Sequence, residues 1–426
     1  MNRLISLIES NRLYVYTSLA IFILLNLSYV FDISVNFKIS YIPFLFEFDT
    51  IKFVSLTLLS LFITLAGSFI RNDFIKLIWY VLLIMQYYSS AILFTYLPDI
   101  SFYIVVQNMV LLIAIFLADF IEIKKINLPE ISLANNIKAI FILSAILFIP
   151  FVYYYWSYVS FDNLLLNKNQ IYETRELFRN INIPILGYLM SPLSRILFPI
   201  LIIYSISSKK YYILIISVMA IAYLFLCSAT KSVLIGGIIA VFFYYGKHWK
   251  DKFKLFSFMI ISLLVLGFIM SFFFNSNMVT GAFVRRVFFI PPSLDNIYYQ
   301  YFNDNFTLWA HSPFGSFFSE IDLNNKDLTM FMGEDIMGFK GLNANIGILT
   351  EGFISFGYIG LILHAAVYGF VFVIIRNLNI SPHYFGIVFA YIFYLNSSLL
   401  STLLLTHGLV FLLIIFTFFL RNSADE

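Results

Sequence analysis

Arg285 and Arg286 stand side by side in GAFVRRVFFIPPSLDNIYYQYF (281–302), between an apolar segment and a Pro-Pro break. Adjacent arginines among aromatics suit the capture of an anion. A guanidinium carries a permanent charge and a planar fork of donors that matches phosphate oxygens two at a time. The same side chain recurs at Arg175 and Arg179 in TRELFRNINIPILG, and Lys231 stands alone in Ser-Ala-Thr-Lys-Ser at 228–232, between two apolar stretches. A lone lysine at bilayer depth costs on the order of 2.5–3.5 kcal/mol, so an anionic partner or snorkelling to the interface is the expected remedy.

Proton transfer needs a group that titrates near neutrality. Of the five histidines, His311 falls in the longest polar stretch of the chain, whereas His364 lies inside an apolar run and His407 near the end of another. His311 is therefore the candidate general base, with Asp295, Asp304 and Glu351 as acidic alternatives. The chain has no phosphate-cradling Gly-Lys-Ser/Thr loop, no Gly-x-Gly-x-x-Gly, no His-Glu-x-x-His and no Asp-x-Asp pair. Neither a metal nor another cofactor is expected. The lone Cys227 sits in an apolar run and offers neither a disulfide framework nor a thiolate metal site.

The elements that must hold these residues are membrane helices. With 61% hydrophobic and 12% charged residues, the apolar surface exceeds what one globular core hides, so the bilayer must be the solvent. The expected class is an all-α polytopic membrane protein, with apolar spans at about 13–31, 51–70, 77–97, 100–121, 137–157, 186–206, 211–228, 232–246, 255–274, 350–375, 383–400 and 403–420. The first has no small-residue cleavage site and reads as a retained span.

Twelve spans leave both termini on one side. Fifteen basic residues, Arg3, Arg12, Arg71, Lys76, Lys124, Lys125, Lys138, Lys209, Lys210, Lys247, Lys250, Lys252, Lys254, Arg376 and Arg421, cluster at one set of ends, which makes those ends cytoplasmic. The other eleven lie outside: Lys38, Lys52, Lys231, and eight within 158–195 and 275–349. The chain is thus one integral membrane domain over 1–426, with a first basic outer loop at 158–185 and a large outer loop subdomain at 275–349. The stretch 346–375 is too long and too interrupted for one plain span, so the part before Gly357 is expected to be re-entrant or tilted. The net charge of +3 is too small to suggest nucleic-acid binding. A lipid carrying a phosphate or pyrophosphate fits arginines at headgroup depth.

The turn at 228–232, RRVFFIPP at 285–292 and NANIG at 343–347, set among a dozen spans and a basic outer loop, together resemble the O-antigen polymerase (Wzy) family. The resemblance implies a GT-C-like glycosyltransferase of the bacterial inner membrane. It would be a metal-independent, inverting polysaccharide polymerase that moves an undecaprenyl-pyrophosphate-linked glycan onto a new lipid-linked oligosaccharide repeat unit at the periplasmic face, with a chain-length regulator protein as a further partner. In that reading His311, Arg285 and Arg286 are catalytic, while Arg175, Arg179 and Lys231 bind pyrophosphate. Asn343 and Asn345 cap the following helix or hydrogen-bond sugar hydroxyls. The family pattern of an arginine followed by ten residues and a glycine has here Arg175 and Gly187 with eleven between. An O-antigen ligase, a lipid-linked oligosaccharide flippase and a non-catalytic assembly partner are the alternatives.

Overall fold

The computed structural model describes residues 2–123, 133–165, 168–180, 183–313, 315–317 and 320–421. Lys124 and Lys125 lie outside them, as do the side chains of Arg3 and Arg179. The described residues are helical, with no strand among them. Among the described residues nine helices are long and apolar enough to cross a membrane: Asn11–Asn36, Thr50–Phe69, Asp73–Tyr96, Asn135–Tyr158, Leu186–Ser208, Tyr211–Ser228, Trp249–Phe274, Ile348–Asn377 and Leu400–Phe419. Three shorter apolar helices, Tyr103–Ala118, Lys231–Tyr244 and Pro382–Leu395, fill the remaining apolar runs. At 1.5 Å per residue a 14-residue helix reaches about 21 Å, short of a ~30 Å hydrocarbon core. This is the architecture of a polytopic membrane protein.

The chain divides into two compact units. The first comprises 1–122, 253–373 and 395–400. Its most enclosed helix is Asp73–Tyr96, which buries Tyr80, Tyr87 and Tyr88. Asn72 starts that helix by accepting from the Phe74 and Ile75 amides, as Asp49 does for Ile51 and Lys52 at the head of the preceding one.

Ile348–Asn377 is two helices, broken where Phe356 (φ −143°, ψ 24°) meets Gly357 (φ 62°, ψ −146°). Only glycine adopts the latter conformation without strain. The halves fold back on one another. Gly352 meets Gly360 backbone to backbone, and His364 Nδ1 lies 2.7 Å from the Ile348 carbonyl. A methyl group on either glycine would drive into the carbonyl of the other. Residues 348–355 thus form a short arm folded back against 358–377, and the break falls at the glycine where the sequence suggests it. The arm's last carbonyls, Ile354 and Ser355, accept from the Thr307 and Leu308 amides, which pins residues 307–308 to its tip.

The second unit comprises 123–252, 374–394 and 401–426, with Leu186–Ser208 the most enclosed of its span-length helices. Within it, residues 193–197 form a π turn. Pro199 explains the slip: it has no N–H to give to the carbonyl of Arg195, four residues earlier, so the hydrogen-bond register lengthens there. The same cause operates in the first unit, where the π segment Thr280–Phe289 runs directly into Pro291 and Pro292. Lys252 is wholly buried, its Nζ donating to the carbonyls of Phe243, Tyr244, Tyr245 and Gly246 at 2.6–3.3 Å. It closes the C-terminus of Lys231–Tyr244, whose final carbonyls have no helical partner.

Candidate functional sites

In the second unit, Arg195 was grouped above with the first basic loop, and that placement is corrected. It lies inside the span-length helix Leu186–Ser208, in the π turn, and is only 9% exposed. Its Nη1 is 2.9 Å from His407 Nδ1, its Nη2 3.3 Å from Ser232 Oγ, and its guanidinium lies over the Tyr394 ring at 4.0 Å. Tyr394 also stacks on His407, with centroids 5.2 Å apart. His407 is held in turn by Tyr391, whose hydroxyl donates to its carbonyl at 2.6 Å. Gly236 lets the helix Lys231–Tyr244 approach the π turn, 3.4 Å from the Ser194 carbonyl to where a Cβ would stand.

Two sequence candidates converge on the same turn. Ala229, in left-handed conformation (φ 49°), makes the reversal between Tyr211–Ser228 and Lys231–Tyr244. Arg175 Nε donates to the Ala229 carbonyl at 3.1 Å, and exposed Lys231 is the first residue of the following helix. Thr230 gives that helix no side-chain cap, because its hydroxyl turns back to the Ser228 carbonyl. The N-terminus of a 14-residue helix, with its partial positive charge, therefore stands beside Arg195, Arg175 and Lys231. Among the described residues no carboxylate pairs with Arg195 or Lys231, and Arg195 Nε has no hydrogen-bond partner. A buried cation with only neutral neighbours is costly unless an anion joins it. Arg179 lies on the helix Lys168–Asn180, its side chain outside the described residues.

In the first unit, the structure brings His311 and Glu351 together. His311 is fully buried at the side chain, with Nε2 3.4 Å from Glu351 Oε1 and Nδ1 3.0 Å from Thr307 Oγ1. The other Glu351 oxygen accepts from the Leu400 amide. A carboxylate facing Nε2 favours the tautomer protonated there, which leaves Nδ1 as the basic nitrogen toward Thr307. The order is hydroxyl, imidazole, carboxylate, and Thr307 forms part of the wall of a cavity of about 360 Å³.

One residue earlier on the arm, Thr350 Oγ1 donates to Asp295 Oδ1 at 2.5 Å, and Gln107 Nε2 donates to Asp295 Oδ2 at 3.1 Å. Burial pushes the Asp295 carboxyl up to about 7, against the lowering effect of these two hydrogen bonds. With both oxygens occupied, Asp295 braces the arm instead of facing a substrate. Asp304 is exposed.

The arginine pair splits. Arg285 is buried, its guanidinium over the rings of Phe37 at 4.5 Å and Tyr41 at 5.3 Å, while Arg286 is exposed. Burial is the main cause that lowers Arg285 from the ordinary guanidinium value, and a guanidinium stays cationic at neutral pH regardless. The segment carrying the pair is anchored by buried Asp32, which accepts from Thr280 Oγ1 at 2.6 Å, Asn36 Nδ2 at 2.8 Å and Ser271 Oγ at 3.2 Å. Asn343 and Asn345 are exposed and precede the first turn of the arm, so neither stands at its N-cap, which is Gly347. They flank buried Ala344, whose carbonyl accepts from Tyr298 Oη at 2.7 Å.

Sequence reasoning missed Arg195, His407 as its partner, and Thr307. A signal for the first was present: both buried arginines precede a proline, Arg195 by four residues and Arg285 by six. Among the described residues no three His, Cys, Asp or Glu side chains gather as a metal-holding group.

Fold and sites together define an all-helical polytopic membrane protein with a buried, uncompensated cationic site. Comparison with protein-family models, with curated proteins and with solved structures finds no match.

Proposed function

We propose that this chain is a polysaccharide polymerase of the O-antigen (Wzy) type, transferring an undecaprenyl-pyrophosphate-linked glycan onto a lipid-linked repeat unit at the periplasmic face of a bacterial inner membrane. The observation that carries the reading is Arg195. A guanidinium buried inside a span-length helix, flanked by an uncapped helix N-terminus, Arg175 and Lys231, is suited to a dianionic headgroup that arrives along the membrane. In this reading the acceptor hydroxyl attacks the anomeric carbon, and the bond to the pyrophosphate breaks. The displaced charge meets preorganised cations, which require no metal for that task. The acceptor proton goes to a general base, and within the first unit the series Thr307 Oγ1, His311 Nδ1 and Glu351 has the order such a base requires. One displacement inverts the anomeric configuration. Within the first unit, Arg285 and Arg286 are candidates for an anion contact of their own, the buried one held by its aromatic neighbours.

A second reading, a lipid-linked oligosaccharide flippase, is favoured by ionisable groups buried within span-length helices, among them Asp32, Lys76, Arg195, Lys252, Glu351 and His364. The glycan pattern of a deletion strain separates the two. Loss of a polymerase leaves single repeat units on the acceptor, whereas loss of a flippase or a ligase leaves none. A bare acceptor in the deletion strain rules out the polymerase.

A further inference from the structure

The cavity beside Thr307 has walls that pyrophosphate chemistry does not explain. Its aromatic lining is Tyr301, Phe302, Phe306 and Phe331, and its acidic lining is Glu320 and Asp322. Tyr301 meets Phe331 edge to face at 5.9 Å and Phe302 at 4.8 Å, so the rings fix one another, while Tyr301 and Phe306 keep nearly half their surface exposed. Asp322 Oδ1 accepts from the Asn324 amide, which fixes that carboxylate, and Glu320 is exposed. Among the described residues no lysine or arginine belongs to the lining. At about 360 Å³ the cavity is at the small end of ligand sites, which run roughly 300–1,000 Å³.

Each wall has a preference. The negative face of an aromatic ring attracts the positively polarised C–H face of a pyranose, and a carboxylate accepts from hydroxyls two at a time. Two carboxylates with no basic residue in the described lining repel a third negative charge. We infer that this cavity binds the terminal sugar ring of the acceptor and selects a ring without negative charge, either a neutral or an amino sugar, against a uronic acid. The acceptor role rests on the polymerase reading, whereas the binding and its charge preference do not.

The test uses full-length protein in nanodiscs and saturation-transfer NMR at pH 7. The probes are the methyl glycosides of glucose, galactose, mannose, rhamnose, N-acetylglucosamine and glucosamine, with methyl glucuronide as the anionic probe. At least one uncharged or amino glycoside binds, and its affinity exceeds that of the glucuronide by at least about tenfold, because like-charge juxtaposition suppresses the wrong ligand. Glu320→Lys, a change at an exposed position, narrows or inverts that ratio at unchanged melting temperature, and Tyr301→Ala weakens every glycoside. Absence of binding by all the probes overturns the inference, as does equal binding of the glucuronide to the unaltered protein, or a ratio unmoved by Glu320→Lys. Protein that binds the glycosides but builds no glycan ladder keeps this inference and removes the polymerase reading. Protein that builds ladders and binds none of the probes does the reverse.

Discussion

Arg195 Nη1 lies 2.9 Å from His407 Nδ1, and since a guanidinium only donates, His407 meets it as the acceptor, with its own proton on Nε2. The pair spans 212 positions of sequence. It holds a charge that no described carboxylate neutralises, a cost to the fold that the proposed anionic ligand would offset.

Replacing Arg195 should therefore separate function from stability. Arg195→Gln removes a buried cation, and we expect chain extension to be lost while the melting temperature of the detergent-solubilised protein holds or rises. Arg195→Lys restores charge without the fork and should keep only a fraction of the rate. Ladder length and melting temperature at matched accumulation are the readouts. A sharp fall in melting temperature for the Gln variant would make Arg195 a structural residue.

The relay through Thr307 makes its own prediction. His311→Ala should slow chain extension by about 10²–10⁴, the usual contribution of a general base. Thr307→Val, which keeps the shape and removes the hydroxyl, should lose a comparable amount, and Thr307→Ser should stay close to the unaltered rate. Initial rates with purified lipid-linked repeat units decide it. A fully active Thr307→Val would mean that His311 does not act through that hydroxyl.

Asp295 links stability to pH. Its folded value of about 7 lies above the ~3.9 of an unfolded aspartate, so between those values the unfolded chain releases a proton that the folded one keeps. This contribution is fully present below about pH 4 and is lost as pH rises toward 7. Melting curves from pH 4 to 8 should show a decline with pH in the unaltered protein that is shallower in Asp295→Asn. Parallel profiles would remove Asp295 as the source.

The glycine hairpin predicts a contrast between two similar substitutions. Gly360→Ala places a methyl against the Gly352 carbonyl and should lower both the melting temperature and the amount of protein in the membrane. Gly187→Ala, in the helix Pro184–Pro192 with open space around its Cα, should be neutral or stabilising by up to ~1 kcal/mol. The second variant also asks whether the arginine-to-glycine spacing matters for activity, since any defect there cannot come from crowding.

Much of the helical framework was legible in the sequence because apolar runs of about 20 residues have few alternatives in a bilayer, and every run read as a span contains a helix here, with breaks at 356–357 and 405–408. The break at Gly357 was legible for a similar reason, since glycine marks a conformation that other residues avoid. Arg195 was not. Charge counting assigns a cation to the nearest polar stretch, and one buried mid-helix by a proline-induced π turn looks no different in one dimension. The pairing of His311 with Glu351 across 40 positions, and of Arg175 with the turn at 229 across 54, arises from packing that local periodicity does not encode.

Lys252 shows how one residue can carry two meanings at different times in the life of the chain. In the sequence reading, an ammonium at the end of an apolar run acts as an orientation signal while the nascent polypeptide is threaded into the bilayer, and Lys252 is counted there with Lys247, Lys250 and Lys254. Once the helices pack, the same ammonium leaves water for a cage of four carbonyls and ceases to be a surface charge. Its three neighbours are enough to keep the signal, so the cage itself is what a neutral residue at 252 would forfeit. Such a chain would keep the orientation signal and lose the cage, with a lower melting temperature as the expected outcome.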